Sequence, residues 1–243
     1  MVETPRIVLQ RYAASHPCQA VQAALKFKDL EYERDDIVPG SRLDELQGYY
    51  GEGNTTLPGL LIGDEAIHTS VRIMRRLEEL KPDPPLYPTD RADAVRAAEE
   101  WGDGEFQDLG RRLPWGVLRF RPQAIGLLSG GGELDPAGID AALGFTHRAW
   151  RYHRISTARL AEDVANLPAL LDHADGYVAA GVIGAEQPTA ADFQIGATVR
   201  VLSQVGDLAP MLEGRPVTAV ADRWFRPPRG VVPAGSYPSS VMA

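Results

Sequence analysis

Three short polar stretches carry the residue types that could do chemistry. The first is Ser15-His16-Pro17-Cys18, which follows the apolar run Ile7-Val8-Leu9 and leads into Cys18, Val21, Ala24 and Leu25 at helical spacing. A helix opening at Pro17 presents unpaired backbone N–H groups and the positive end of its dipole. A thiolate resting there is stabilised. A redox protein of the C-x-x-C type carries its nucleophile at the first position of that motif; here the first position is Ser15 and only the fourth is Cys18. A hydroxyl forms no disulfide, but it donates a hydrogen bond to a sulfur that arrives with a bound molecule. Ser15 is therefore the candidate catalytic residue, with His16 beside it as a candidate ligand contact. Cys18 reads as a small buried core residue, and a reactive thiol is the competing reading.

The second stretch is Thr56-Leu57-Pro58, just ahead of Leu60-Leu61-Ile62. A cis bond before Pro58 would leave the Leu57 backbone open for strand-like pairing with a ligand. The third is Thr69-Ser70, at the start of a helical pattern, where hydroxyls and free N–H groups converge on a spot suited to a carboxylate. Other motifs read more plainly. Gly130-Gly131-Gly132 lacks the Lys-Ser/Thr ending of a phosphate loop and reads as a flexible loop. His147 and His153 lie six apart and share no helix face well, so no metal site is expected. Trp101, Phe106, Trp115 and Phe120 read mainly as core, with Trp115 the one weighed as a pocket residue.

The elements that must position these residues change character near residue 83. Before it, the pattern is β-α-β-α-β-β-α. Ile7-Val8-Leu9 predicts a strand, the segment from Pro17 a helix, Glu31 to Ile37 a weak strand, and Ser41 caps a short helix with Leu43 and Leu46. Gly48 to Asn54 reads as a loop, Leu60 to Ile67 as a hairpin turning at Gly63-Asp64, and Val71, Met74, Leu77 and Leu80 as a helix. Lys81-Pro82-Asp83-Pro84-Pro85 ends that helix. From Asp90 to Phe225 the pattern is helical. The expected segments are Asp90 to Arg112 with a weak point at Gly102-Asp103-Gly104, Ala137 to Arg154, Thr157 to Ala180 with a kink at Pro168, Thr189 to Val205, and Val217 to Phe225. Arg121 to Pro136 reads as a loop. The boundaries are thus 1–83 for an α/β domain, 84–89 for a Pro-rich linker, 90–225 for an all-α domain and 226–243 for an extended or disordered tail.

Composition narrows the class. The net charge of −8, from 25 Lys and Arg against 33 Asp and Glu, argues against a phosphate backbone as partner. One cysteine excludes an internal disulfide and fits a reducing compartment. Nothing in Met1 to Arg6 reads as a signal peptide, and no apolar run reaches the length of a membrane span. The sequence reads as soluble and cytoplasmic.

The serial order of S-x-P-C, x-Pro before a strand, and a polar-Ser pair opening a helix resembles the N-terminal domain of glutathione S-transferases. Ala14 to Val21 is most similar to the theta-type and related bacterial members that use serine. Gln187-Pro188-Thr189-Ala190-Ala191-Asp192-Phe193 resembles the family's helix-capping motif in its helical domain. The resemblance runs over residues 6 to 225. It implies a thioredoxin-like domain followed by an all-helical domain, glutathione as co-substrate, an electrophilic small molecule as second substrate, and a homodimer. It implies that Ser15 stabilises the thiolate, that Leu57 pairs with the cysteinyl part beside a cis Pro58, and that Ser70 with Thr69 binds the γ-glutamyl carboxylate. Thr69 stands where the family usually has Glu or Gln, which leaves room for another low-molecular-weight thiol. Two other readings compete: a thiol-disulfide oxidoreductase acting through Cys18, and a non-catalytic scaffold or binding protein on the same fold.

Overall fold

A computed structural model describes residues 5–128 and 131–243 of the chain. The N-terminal half is a four-stranded mixed sheet in the order β2-β1-β3-β4, with β1 (Ile7–Arg11), β2 (Glu33–Asp36), β3 (Gly59–Ile62) and β4 (Glu65–His68). β1 lies parallel to β2, with α1 (His16–Phe27) as the crossover, and antiparallel to β3, which pairs with β4 through the expected hairpin. α2 (Leu43–Tyr50) and α3 (Ser70–Leu80) complete this half. Leu9, Leu25, Leu60, Ile73 and Leu77 form its fully buried centre.

The linker is held from below. Lys28, at the end of α1, is fully buried and pairs with Glu78, and its ammonium also donates to the Lys81 carbonyl at 2.6 Å and the Pro84 carbonyl at 2.9 Å. Glu78 in turn accepts from the Leu86 N–H at 2.9 Å. A buried cation is tolerated only when paired in this way.

The C-terminal half is helical: α4 (Ala92–Trp101), α5 (Gln107–Phe120), α6 (Ile125–Leu128), α7 (Pro136–Tyr152), α8 (Thr157–Ala179), α9 (Ala190–Leu202), α10 (Ala209–Leu212), α11 (Pro216–Trp224) and α12 (Ser239–Met242). Every residue of α9 is buried, so α9 is the axle around which α1, α4, α5 and α11 pack. It opens with a complete capping box, in which the Asp192 carboxylate accepts from the Thr189 N–H at 2.7 Å and Thr189 caps the Asp192 N–H. Gly102 and Gly110 permit the close approach of α9. A Cβ at Gly110 would sit 2.6 Å from Thr198 Cγ2, and one at Gly102 would sit 2.9 Å from Ile195 Cγ1.

The chain departs from the sequence expectations at several places. α2 continues through Gly48 and ends at Gly51, whose φ of +91° stops it, so the loop begins later than expected. Its N-cap is Arg42 rather than Ser41, whose hydroxyl donates to the Val38 carbonyl. The expected helix over Asp90 to Arg112 is two helices: a π-turn at Gly102–Phe106, with non-helical backbone at Gly104, separates α4 from α5, and α5 runs on to Phe120. The Arg121 to Pro136 segment is not all loop, since it holds a 3-10 turn (Pro122–Ala124) and α6. Gly130 of the glycine run lies outside the described residues. α8 passes through Pro168 without interruption.

The tail is docked, where an extended or disordered segment was expected. Val232 is fully buried and bridges Val205, accepting from Gly206 N–H and donating to the Gln204 carbonyl, both at 2.8 Å. The Asp207 carboxylate accepts from the backbone of Gly235, Ser236 and Tyr237, and the Tyr237 hydroxyl donates to the Leu113 carbonyl. Scattered apolar residues without periodicity suffice when each meets its own socket. No described helix is long and apolar enough to cross a membrane.

Candidate functional site

The candidate residues meet at the junction of the two halves. A small cleft of about 130 Å³ is lined by Pro17, Thr56, Leu57, Pro58, Thr69 and Ser70 from the first half and by Asp103, Gln107 and Arg111 from the second. At roughly 30 Å³ per water, it holds about four waters, enough for the head of a ligand whose body lies along the surface.

At the base of the cleft the Leu57–Pro58 bond is cis. In the turn before β3, Leu57 is half-exposed, and its backbone makes no hydrogen bond among the described residues. The Pro58 carbonyl accepts from the Thr69 N–H at 3.4 Å. Thr69 is exposed and has φ +77°, an outlier for a β-branched residue. It occupies the N-cap position of α3, yet its side chain makes no capping bond. Ser70, 2% exposed, donates from its hydroxyl to Asp103 Oδ1 at 3.2 Å across the junction.

Asp103 is the hub of this contact. Its Oδ1 also accepts from Gln107 Nε2 at 2.8 Å and from Gln194 Nε2 at 3.3 Å, while Gln194 Nε2 donates to Gln107 Oε1 at 2.9 Å. The π-turn aims Asp103 at the start of α3, and Gln107 and Arg111 follow at intervals of four on the same face of α5. The Gly102-Asp103-Gly104 weak point was visible in the sequence as a flaw in a helix; its role as the place where a carboxylate enters the cleft was not. Gln107 and Arg111 carried no signal beyond their spacing.

Ser15 and His16 do not line the cleft. Ser15 stands at the N-cap of α1 in extended conformation, partly exposed, with no side-chain capping bond, two residues from the lining Pro17. Its side chain hydrogen-bonds the Cys18 thiol in the first turn of the helix. His16 is buried against α5: its Nε2 lies 3.6 Å from where a Gly110 Cβ would stand and has no partner among the described residues. Burial pushes its imidazole down to about 3, with the charges of Arg111 and His153 adding to the effect. The ring is neutral at physiological pH and belongs to the packing between the halves. Cys18 is fully buried, and burial pushes its thiol up to about 11, against weaker hydrogen bonding from Ser15 and Tyr12.

The aromatic residues weighed earlier lie elsewhere. Phe106 is buried and stacks on Trp101 at 5.0 Å, and Trp115 packs edge-on against Phe145 at 5.2 Å. None of them borders the cleft.

Comparison with known proteins places the fold. Residues 9–85 match the family model for the glutathione S-transferase N-terminal domain. Among solved structures, a glutathione S-transferase from Rhodospirillum rubrum F11 is similar at 20% identity and TM-score 0.57, over 92% of this chain and 96% of that one. The beta-etherase LigF from Sphingobium sp. strain SYK-6 is similar at 16% identity and TM-score 0.66, over 92% and 96%. A rice glutathione S-transferase solved with glutathione is similar at 21% identity and TM-score 0.51, over 91% and 85%. No curated protein matches the chain. Residues 9–85 are thus similar to a glutathione S-transferase N-terminal domain, and the whole chain shares the fold of the glutathione S-transferases, a thioredoxin-like sheet followed by a helical part.

Proposed function

We propose that this protein is a glutathione transferase-like enzyme that binds glutathione in the junction cleft and directs its sulfur at an electrophilic carbon. The observation that carries the reading is the convergence in one cleft of Leu57, Pro58, Thr69 and Ser70 with Asp103 from the π-turn before α5. A γ-glutamyl group is a zwitterion. Its carboxylate suits the free N–H groups opening α3 and the Ser70 hydroxyl turned from Asp103, and its ammonium takes that hydroxyl's place at the Asp103 carboxylate. The unpaired Leu57 backbone suits the next peptide unit, in strand fashion.

The sulfur then falls toward the start of α1. There the Ser15 hydroxyl donates to it, and the helix end favours negative charge. The thiol proton leaves to solvent, since no described group at Ser15 is placed as a base. The thiolate lone pair forms the new C–S bond while the leaving group departs with its own electron pair. Holding both partners together supplies the rest of the acceleration. Thr69 offers a shorter, uncharged side chain at the γ-glutamyl end, so a related low-molecular-weight thiol fits the same scheme. A twofold homodimer and a cytoplasmic setting accord with the family resemblance.

The Cys18 reading fares worse. A fully buried thiol pushed up to about 11 is neither accessible nor ionised at neutral pH.

Calorimetric titration with glutathione tests the proposal. Saturable binding is expected, weakened about tenfold in Ser70→Ala and in Asp103→Asn, for loss of one charge-assisted contact. Ser15→Ala is expected to retain binding and to raise the bound thiol's pKa by about 1–2 units, for the loss of a hydrogen bond worth about 1.5–3 kcal/mol to a charged group. Far-ultraviolet thiolate absorbance against pH reads that shift. Absence of binding at millimolar glutathione would remove the glutathione assignment and favour another thiol or the scaffold reading.

A further inference from the structure

The wall that α5 gives to the cleft is not a self-supporting helix. Arg111, which lines the cleft, lies in the run Gly110-Arg111-Arg112-Leu113-Pro114-Trp115-Gly116. That run holds two glycines and a proline, the poorest helix formers. Pro114 has no N–H to offer the Gly110 carbonyl, and it disfavours helical backbone at Leu113 before it. Both glycines are required by neighbours. Gly110 admits α9, and a Cβ at Gly116 would stand 2.4 Å from Leu160 Cδ2 and 3.0 Å from the Tyr237 hydroxyl oxygen. Local preference therefore opposes the helix just where it meets the cleft.

Three contacts from outside α5 hold the run. Arg112 donates to Asp163 of α8 through two bonds of 2.6 and 2.8 Å. The indole N–H of Trp150, on α7, donates to the Trp115 carbonyl at 2.9 Å. The third comes from the tail, where the Tyr237 hydroxyl donates to the Leu113 carbonyl. In an unbroken helix that carbonyl serves the Val117 N–H, which here also faces the Tyr237 oxygen. Tyr237 thus spans the turn at Pro114, and at 5% exposure its place cannot be taken by water. α7 and α8 are long helices with their own packing, whereas the tail depends on a few contacts. The Asp207 carboxylate accepts from the N–H groups of Gly235, Ser236 and Tyr237 at 2.7, 3.1 and 3.2 Å. One carboxylate therefore sets where the Tyr237 hydroxyl stands.

We infer that Tyr237 is a positioning residue for the cleft: by bonding Leu113 it splints α5 beside Pro114 and holds the turn that carries Arg111 against Pro17 and Ser70. The splint itself needs no ligand; its consequence for glutathione rests on the transferase reading above. Leu113 stands two residues from Arg111, so a loosened turn there moves the cleft wall directly. The tail, which touches none of the cleft residues, acts on them only through this helix.

Backbone hydrogen exchange on the full chain, read by mass spectrometry, tests the splint. Tyr237→Phe keeps the ring and loses only the hydroxyl. Exchange over residues 107–117 is expected to quicken about fivefold to tenfold, for loss of one buried hydrogen bond. Val220→Ala serves as the comparison, because it truncates a buried side chain on α11, which packs on α8 and α9. It should lower the melting temperature yet leave the α5 amides at their wild-type rates. Calorimetric titration with glutathione is then expected to give a Kd about threefold weaker in Tyr237→Phe and unchanged in Val220→Ala. Three results overturn the inference. Unchanged α5 exchange in Tyr237→Phe shows that the Pro114 turn stands without the tail. Equal quickening in both variants makes Tyr237 an ordinary stability residue. Quickened exchange with an unchanged Kd shows that the turn does not govern the cleft. A wild type that binds no glutathione is a different outcome: it sinks the transferase reading, while the exchange comparison still upholds or removes the splint.

Discussion

Glu99→Gln should flatten the stability of this protein against alkali. Glu99 is fully buried on α4, and both of its carboxylate oxygens lie 2.9 Å from the Tyr87 hydroxyl. Burial lifts its carboxyl to about 8, against the pull of the Tyr87 hydrogen bond and the Arg75 charge, while Asp103 and Glu100 push the same way as burial. An acid whose folded pKa lies above its unfolded value stabilises the fold fully below the unfolded pKa, and loses that contribution as pH rises through the folded one. For Glu99 the window runs from 4.5 to about 8. The lower part of that window is crossed by His16 and His153. Both are depressed in the fold, so their slope has the opposite sign and ends near pH 6.5. Above about pH 6.5 Glu99 acts with little interference from them. Integrating its titration from about pH 6.5 to about pH 8.5 at 1.36 kcal/mol per unit gives a loss of about 2 kcal/mol. For a chain of this size that is about 4–8 °C in Tm. Calorimetric melts of both proteins across that range measure it. The wild-type Tm should fall faster with pH than that of Glu99→Gln, and the difference between them should widen steadily whatever its starting offset. Parallel curves would show that Glu99 is ionised in the fold, and the reasoning from burial would be wrong.

Two further outcomes follow from the packing. Cys18, fully buried with its thiol pushed up to about 11, should resist a thiol-specific reagent in the native state and react only on unfolding in denaturant; labelling of the native protein at the rate of a free thiol would revive the Cys18 reading. Gly110→Ala should destabilise by about 1–3 kcal/mol in urea titrations, because its Cβ would stand 2.6 Å from Thr198 Cγ2; an unchanged midpoint would show that α5 and α9 separate freely.

Much of the fold was legible because its signals are local. Ile7-Val8-Leu9 forms a strand in a buried sheet and needs no distant partner to read as one. Pro17 opens α1, and the Thr189-to-Asp192 spacing opens α9 with the capping box it implies. The misreadings have two causes, a local stop that falls later than expected and a distant contact that overrides a local preference. Gly48 stays helical because α2 stops only where Gly51 takes positive φ. The tail is ordered by sockets at Gln204 to Asp207 and Leu113, none of which a periodicity analysis of residues 226–243 can register. The site divides in the same way. Leu57, Pro58, Thr69 and Ser70 stood out by turn and cap chemistry, and they line the cleft. His16 stood out by adjacency to Ser15, but a buried imidazole against Gly110 is set by the partner helix. Asp103, Gln107 and Arg111 come from the other half of the chain, and only the fold brings them to Ser70.

The dependence on one helix has a sharper consequence. Gly102 and Gly110 face α9 at close approach, and Asp103 and Arg111, one residue further on, face the cleft with Gln107. On α5 itself, Arg111 is offset from Gly110 by about 100°, the rotation of a single residue in an α-helix. The same register that lets the second half dock on α9 therefore sets which side chains the cleft receives. A one-residue insertion between Gln107 and Gly110 would turn Arg111 about 100° away from Pro17 and, at the same stroke, replace Gly110 with a side chain against Thr198. Substitutions at Arg111 itself are free of that coupling, because its side chain touches the cleft and Asp108 and leaves the α9 contact intact. A point change at Arg111 can therefore alter the cleft without unseating the halves, whereas Asp103 and Gln107 also bond Gln194 of α9 and any change in the length of α5 must do both.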